Sequence, residues 1–473
     1  MGVQQEVSNR RHFTRRDFLR LTALASGGVA LAACAPTGPT SPSAGSEGVE
    51  SAPAADVVEV SFQHFFDSPE LKATFDPIFA SIEEKTGTTI HSIPTPYGEM
   101  LTKLLTMTAG GTPPDLTSAA SDWVKEASGR GIFLSLEDQL PLLPFPVSDF
   151  MPSRLQDGSF NGVSYSVPID QGSTGMYYNQ DIFDEAGIDY PTKEWTWEQL
   201  REVAIQLTVD TSGRTPLDAG FDPENIERFG LQGVVALHRV HSIISSLSGD
   251  PYWYDEEVTQ VTMDKPEMIE AWQWYMNLRS VDHCTPTPEQ ALGFSDASGG
   301  IFPFGLGKYA MEITWIGMIS ALKLEGVTIG NWDVAPLPEG KGTFATSGGQ
   351  HFAILKDSQV PDKAWEVISS FLEDEHMQML GTVGAWTPAR TSMAQYGQPQ
   401  DGVPSRFMEA MIDPVAENGF SFYWYLPGYT EWSREIQTAL EPAWRGEVTA
   451  AEAIESFYPK VSEMVADRPR PDA

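Results

Sequence analysis

Val57-Val58-Glu59-Val60-Ser61-Phe62 alternates apolar and polar residues, the period of a half-buried strand. The period then changes. Leu71 to Glu84 reads as a helix stopped at Gly87, and Thr88 to Ile93 as a second strand. Tyr97 to Ala109 reads as a second helix, closed by Gly110-Gly111. A βαβα opening predicts an α/β fold with a doubly wound parallel sheet. In such sheets ligands sit beyond the carboxyl ends of the strands, where strand order switches.

Around Val163 to Pro168 the texture changes and helical sequence takes over. Trp195-Thr196-Trp197-Glu198-Gln199-Leu200 opens a helix to about Leu207, with Thr196 and Gln199 spaced as a capping box. Strand-like sequence returns at Lys308 to Thr314 and at Gln350 to Leu355. Gly428 to Val465 reads as two helices separated near Gly446. The chain is expected to leave its first lobe and come back. The expected partition is 57–168 for the first part of the N-terminal lobe and 169–310 for a mainly helical second lobe. Residues 311–350 are expected to be a return crossing with an N-lobe segment, and 351–473 the remainder of the C-terminal lobe with the closing helices.

Upstream, Thr14-Arg15-Arg16-Asp17-Phe18-Leu19-Arg20 precedes an apolar run from Leu21 to Ala33 and then Cys34. A basic head, an apolar core and small residues before the cut form an export signal over 1–33. Paired arginines followed by Phe18-Leu19 read as its twin-arginine version. Leu31-Ala32-Ala33-Cys34 has the form of a lipobox that would lipidate Cys34. Residues 34–56, rich in Pro, Ser, Gly and Ala, are expected to be a flexible tether. Expected localisation is therefore the outer face of the cytoplasmic membrane, with the lipid as the only membrane contact.

The whole chain of 473 residues carries a formal charge of −35, with 30 basic and 65 acidic residues. Nucleic acid is excluded as a natural partner, because phosphate contacts need clustered Lys and Arg. The charge suits a solvated surface that keeps an exported protein soluble. Only Cys34 and Cys284 occur, so a lipidated Cys34 leaves no internal disulfide. Cys284 reads as a packed thiol.

Several ordered motifs resemble the family 1 extracellular solute-binding proteins that serve carbohydrate ABC importers. They are Gly111-Thr112-Pro113-Pro114-Asp115, Tyr165-Ser166-Val167-Pro168, Tyr177-Tyr178-Asn179 and Gly307-Lys308-Tyr309-Ala310-Met311. Pro336-Leu337-Pro338 before Gly348-Gly349 and Trp444-Arg445-Gly446-Glu447 complete the series. The resemblance covers nearly all of 57–465. It implies a two-lobed periplasmic-binding-protein-like fold with a hinge and a ligand cleft between the lobes. It further implies a permease partner, no catalysis and no cofactor, and a monomer is expected.

A sugar offers flat CH faces and a rim of hydroxyls, so aromatic planes and carboxylate acceptors suit it. Candidate ligand groups follow from position. His64, Phe65 and Asp67 come after the first strand, and Ser121 and Asp122 after the third. The resemblance places Asp170, at the first crossing, and Tyr177 where the family's hinge lines the cleft. Asp250 and Trp253 form a turn in the helical lobe. Glu312 and Trp315 end a strand, with Trp315 the first choice as a stacking platform. Gly348, Gly349 and Gln350 allow close backbone approach. Trp386 and Arg390 resemble a family segment that faces the cleft. Tyr423 and Tyr425 belong to the densest aromatic cluster, 420–429, which reads equally as packed core.

Rival chemistries leave weaker traces. A surface carbohydrate hydrolase needs two carboxylates flanking one bond, and the acids are too many for spacing to select a pair. Gly300 to Gly305 fails as a phosphate loop because Leu306 stands where lysine is required. His238 and His241 lack a third metal ligand in view. A polyamine or a polyol phosphate on the same fold stays open as an alternative ligand.

Overall fold

A serine, a proline and a glycine set the limits of the first helix, 69–86. Ser68 Oγ accepts the Leu71 N–H at 3.3 Å, and Pro69 occupies the first turn, where no N–H is needed. Gly87 ends the helix in the left-handed region at φ 65°, its N–H on Glu83 O. The computed structural model describes residues 58–233, 237–255, 260–297, 302–342, 344–382, 386–398, 404–420 and 428–467. The signal segment 1–33, the tether 34–56, and Tyr423 and Tyr425 lie outside the described residues.

The helix joins strand β1 (Val58–His64) to β2 (Thr88–Pro94), and β3 (Leu116–Ala120) follows. All three are parallel, with β1 between the other two. After the short β4 (Val167–Pro168) the chain crosses as β5 (Asp170–Asn179) into a second sheet. There β6 (Ile226–Leu231), β7 (Tyr309–Trp315), β8 (Trp332–Ala335) and β9 (Ala345–Gly348) assemble around it. Antiparallel pairs Trp315↔Thr174, Ala335↔Met176 and Gly348↔Gly172 fix the register on β5. The chain then returns as β10 (Gln350–Ile354), antiparallel to β3 and β4. The first sheet thus runs β2-β1-β3-β10-β4. Last comes β11 (Thr387–Pro388), paired with Gln171 and Asp170 of β5.

Two expectations are corrected. Residues 170–179 are a strand rather than the start of a helical lobe, and every one of them is buried. Asp170-Gln171-Gly172-Ser173-Thr174 shows no alternation because neither face meets water. The partition at 311–350 and 351–473 also shifts. Residues 309–315, 332–335 and 345–348 belong to the second sheet, whereas 350–354 completes the first. Helices 361–371 and 374–382 then pack on helix 69–86, so they too side with the first lobe.

Each lobe has its own core. Val60, Phe62, Phe75, Phe352 and Phe371 anchor the first. Trp272, Met311 and Ile436 fill the helical side of the second sheet, and Tyr177, Trp332, Phe407 and Met411 fill its other side. The second lobe closes with helices 429–444 and 450–466, the latter begun by a Thr449–Glu452 capping box. Helix 197–207 carries the expected Thr196–Gln199 box. No helix of the described residues is long and apolar enough to cross a membrane.

Candidate functional site

Two crossings run side by side: Pro168 to Asp170, from β4 into β5, and Gly348 to Gln350, from β9 into β10. The Asp170 carboxylate accepts the Gln350 N–H at 2.5 Å, and Gln350 O accepts the Ile169 N–H at 3.0 Å. Beneath them lies Arg154, fully buried on the short helix 152–157 and paired with Asp157, which is equally buried. Its Nη1 donates to Ser121 Oγ at 2.8 Å and its Nε to Asp170 O at 3.3 Å. Ser121 Oγ donates to Gly349 O at 3.0 Å. One guanidinium therefore ties the end of β3 to the hinge backbone.

Burial governs the charges here. It pushes the Asp170 carboxyl up to about 6, although Arg154 and the Gln350 N–H pull the other way. Burial, reinforced by Arg154 and Lys125, holds His351 well below its ordinary value, so its ring is neutral between Ser121 and Ser166. Gly349 sits at φ +153°, and a Cβ there would stand 2.5 Å from Asp170 Oδ1. Only glycine fits that approach.

Beside the hinge the first lobe gathers three aromatic rings. Phe65 follows β1, Tyr97 follows β2, and Trp386 immediately precedes β11. Phe65 meets Tyr97 edge-on with ring centroids 5.2 Å apart, and Trp386 at 6.3 Å. Tyr97 is half exposed, and Phe65 and Trp386 are half-buried. From the second lobe Trp315, also half-buried, lies over Gly172 of β5, its Cε3 3.6 Å from where a Cβ would stand. Tyr177 OH donates to Trp315 O at 3.2 Å and holds that turn. Aromatic surface thus reaches the hinge strand from both lobes.

Other candidates have structural duties. His64 is buried against Ser92 and stacked on Phe66, with centroids 5.3 Å apart; burial lowers its pKa to about 4. Asp67 is exposed and pairs with Lys72 at 3.0 Å. Ser121 serves the hinge network, and the side chain of Asp122 lies outside the described set. Tyr177 belongs to the core of the second lobe. Asp250 caps its own turn, accepting from the Tyr252 and Trp253 N–H groups and from Lys265. Trp253 is 1% exposed, its indole N–H on Ser245 Oγ at 3.1 Å.

Glu312 is buried 3.5 Å from Arg239, and burial raises its carboxyl to about 7. Gly348 and Gln350 are hinge backbone. Arg390 is a staple within the first lobe: it binds Asp149 at 2.8 Å and Asp374 at 2.5 Å, and lies 3.9 Å over the Phe145 ring. Residues missed in the sequence are Tyr97, Arg154, Asp157 and His351. The strand-end rule that singled out His64 applies equally to Tyr97 after β2. Arg154 and Asp157 are spaced i,i+3, a pattern common on exposed helices, and their burial and their bonds to Ser121 and the hinge carbonyls come from distant segments, as do the partners of His351.

The sequence profile of the bacterial extracellular solute-binding proteins matches residues 78–404. The maltotriose-binding protein of Pyrococcus abyssi is 24% identical over 228 residues, 48% of this chain and 42% of the relative. Among solved structures, the ABC substrate-binding protein Lmo0181 from Listeria monocytogenes, in complex with cycloalternan, superposes with a TM-score of 0.72. It is 19% identical over 86% of this chain and 99% of its own. UgpB from Mycobacterium tuberculosis, in complex with glycerophosphocholine, gives a TM-score of 0.69 at 17% identity, over 86% of this chain and 98% of its own.

Proposed function

We propose that this chain, which belongs to the bacterial extracellular solute-binding proteins, captures a neutral sugar or oligosaccharide between its lobes and delivers it to the permease of an ABC importer. The observation that carries the reading is the aromatic approach to the hinge, Phe65, Tyr97 and Trp386 from one lobe and Trp315 from the other. Aromatic faces stack on sugar CH surfaces. A relative named for maltotriose and a neighbour holding cycloalternan lend support. The protein acts by binding and release without turnover, as a monomer. It is exported by the twin-arginine signal and tethered through lipidated Cys34.

A polyol phosphate is the second reading, favoured by the neighbour that holds glycerophosphocholine. Arg154 and Arg390, the arginines nearest the hinge in sequence, are both engaged by carboxylates, which favours the neutral ligand. A polyamine would instead seek acids beside the aromatics.

A thermal-shift screen of the purified protein against mono- and oligosaccharides, polyamines and glycerol phosphate tests the reading. A ligand at 100 times its Kd stabilises the folded state by about 2.7 kcal/mol. A sugar that shifts the transition and returns unaltered by mass analysis supports capture. Cleaved sugar would make the protein an enzyme, and a response to polyamine or phosphate ester alone would overturn the sugar. Cys34→Ser is expected to release the protein from membranes; continued membrane fractionation of that variant would sink the anchor.

A further inference from the structure

The backbone ladder between the two crossings slips by one residue where the lobes join. His351 faces Pro168 in the first sheet and Gly348 faces Gly172 in the second, so Ile169, Asp170 and Gln171 lie opposite Gly349 and Gln350 alone. A bulge of this kind takes ladder groups away from their regular partners. The Ile169 N–H still donates to Gln350 O at 3.0 Å, but Ile169 O accepts instead from the Ala389 N–H at 3.3 Å. The Gln350 N–H turns to the Asp170 carboxylate, at 2.5 Å. A titratable side chain thus stands in for a backbone carbonyl at the point where the chain passes between lobes.

Asp170 is closely surrounded and 8% exposed. Arg154 donates to the carbonyls of both crossings, Asp170 O at 3.3 Å and Gln350 O at 3.4 Å. Around this pair stand Asp157 on the same helix as Arg154, Lys125 of helix 121–129 and His351 of β10. Strands β4, β9 and β11 contain no titratable side chain. Arg390, two residues beyond β11, is held by Asp149 and Asp374. Burial keeps His351 neutral. It lowers Lys125 only to about 8, against the pull of Asp157, so Lys125 stays charged up to neutral pH. Within this cluster Asp170 is the group that changes charge between pH 5 and 7.

We propose that Asp170 is a proton-operated latch on the hinge: when protonated it holds the two crossings in the enclosed arrangement, and when ionised it lets the lobes rotate more freely about Gly349. The neutral carboxyl still offers its carbonyl oxygen to the Gln350 N–H and carries no charge that needs water. The ionised carboxylate makes the stronger hydrogen bond, but enclosure has stripped its hydration, and burial outweighs both Arg154 and that bond. Rotation at Gly349 carries the Gln350 N–H away and readmits water, which relieves the ionised form more than the neutral one. By linkage, the proton favours the enclosed arrangement and its loss favours rotated ones. The acidity around an extracellular binding protein would thereby set how freely its lobes move. The latch depends on the two-lobed fold and not on which ligand is captured, so failure of the sugar reading leaves it standing.

The test reads the distance between lobes without ligand. Spin labels go on Asp362→Cys, exposed on helix 361–371 of the first lobe, and Glu455→Cys, exposed on helix 450–466 of the second. The chain also carries Cys34→Ser, and Cys284 is buried and escapes labelling. Pulsed electron paramagnetic resonance then records the distance distribution from pH 5 to 7. With Asp170 present, the distribution is expected to broaden at least 1.5-fold over that range, with its midpoint near pH 6. Asp170→Asn keeps an acceptor without a charge and is expected to stay narrow throughout. Asp170→Ser, also uncharged, takes its place if the asparagine variant fails to fold. Equal widths at both ends of the range, or the same broadening in the uncharged variant, would overturn the latch.

Discussion

Arg154 carries a full charge with none of its side chain exposed, and it can do so because Asp157, Ser121 and two hinge carbonyls surround it. Removing one partner of such a pair leaves the other charged and buried, which costs about 3–5 kcal/mol. Arg154→Met is therefore expected to lower the urea midpoint sharply; a near-unchanged midpoint would show that the network contributes little. Gly349→Ala should cost about 1–3 kcal/mol through its backbone and its collision with Asp170. Asp170 gives a pH signature. Its folded pKa, about 6, lies above the 3.8 of an unperturbed carboxyl, so the folded state holds the proton more tightly. Stability from this group is greatest below pH 4 and is lost as pH rises to 6. Compared with Asp170→Asn, the natural protein should lose Tm across that window, and parallel curves would refute the shift. At this scale the sequence was least legible. The types Arg and His were visible, but Arg390 and His64 are held by Asp149 and Ser92, distant partners that no spacing reveals.

Elements with local signals were legible and those without were not. Ser68, Gly87, Thr196 and Gln199 mark helix ends through bonds reaching three or four residues, so their patterns survive in sequence. Strand β5 owes its existence to β7, β8, β9 and β11, contributed from 309 onward, and its own residues are mostly small and polar. The loops after β1 and β2 obey the same strand-end rule, which points to Phe65 and equally to Tyr97, and the ring contact between them joins the two loops. Tyr97→Ala and Trp386→Ala should each weaken sugar binding at least tenfold, about 1.4 kcal/mol, with the fold intact. Unchanged affinity in both would remove this aromatic group from the site. Tyr177→Phe should cost about 1 kcal/mol of stability by freeing the turn at Trp315.

Across the two lobes, strands of one sheet follow strands of the other with a single residue between them, Ile169 between β4 and β5 and Gly349 between β9 and β10. Closure can then proceed by small torsions at Ile169 and Gly349 while each core moves as a body. A ligand shifts that equilibrium only through contacts made with both lobes. Solution scattering should record a smaller radius of gyration when sugar is added, and an identical radius with saturating ligand would argue against hinge closure. The interleaving of the sheets has a second consequence, for synthesis. Strand β3 is complete at residue 120, yet its neighbour β10 ends at residue 354. At roughly 5–20 residues per second, a ribosome needs on the order of 10 to 50 seconds to supply that neighbour. Through that interval the nascent chain carries a half-built sheet with an open edge. An unpaired edge of that kind is a template for wrong pairing until residue 354 of the 473 has been made.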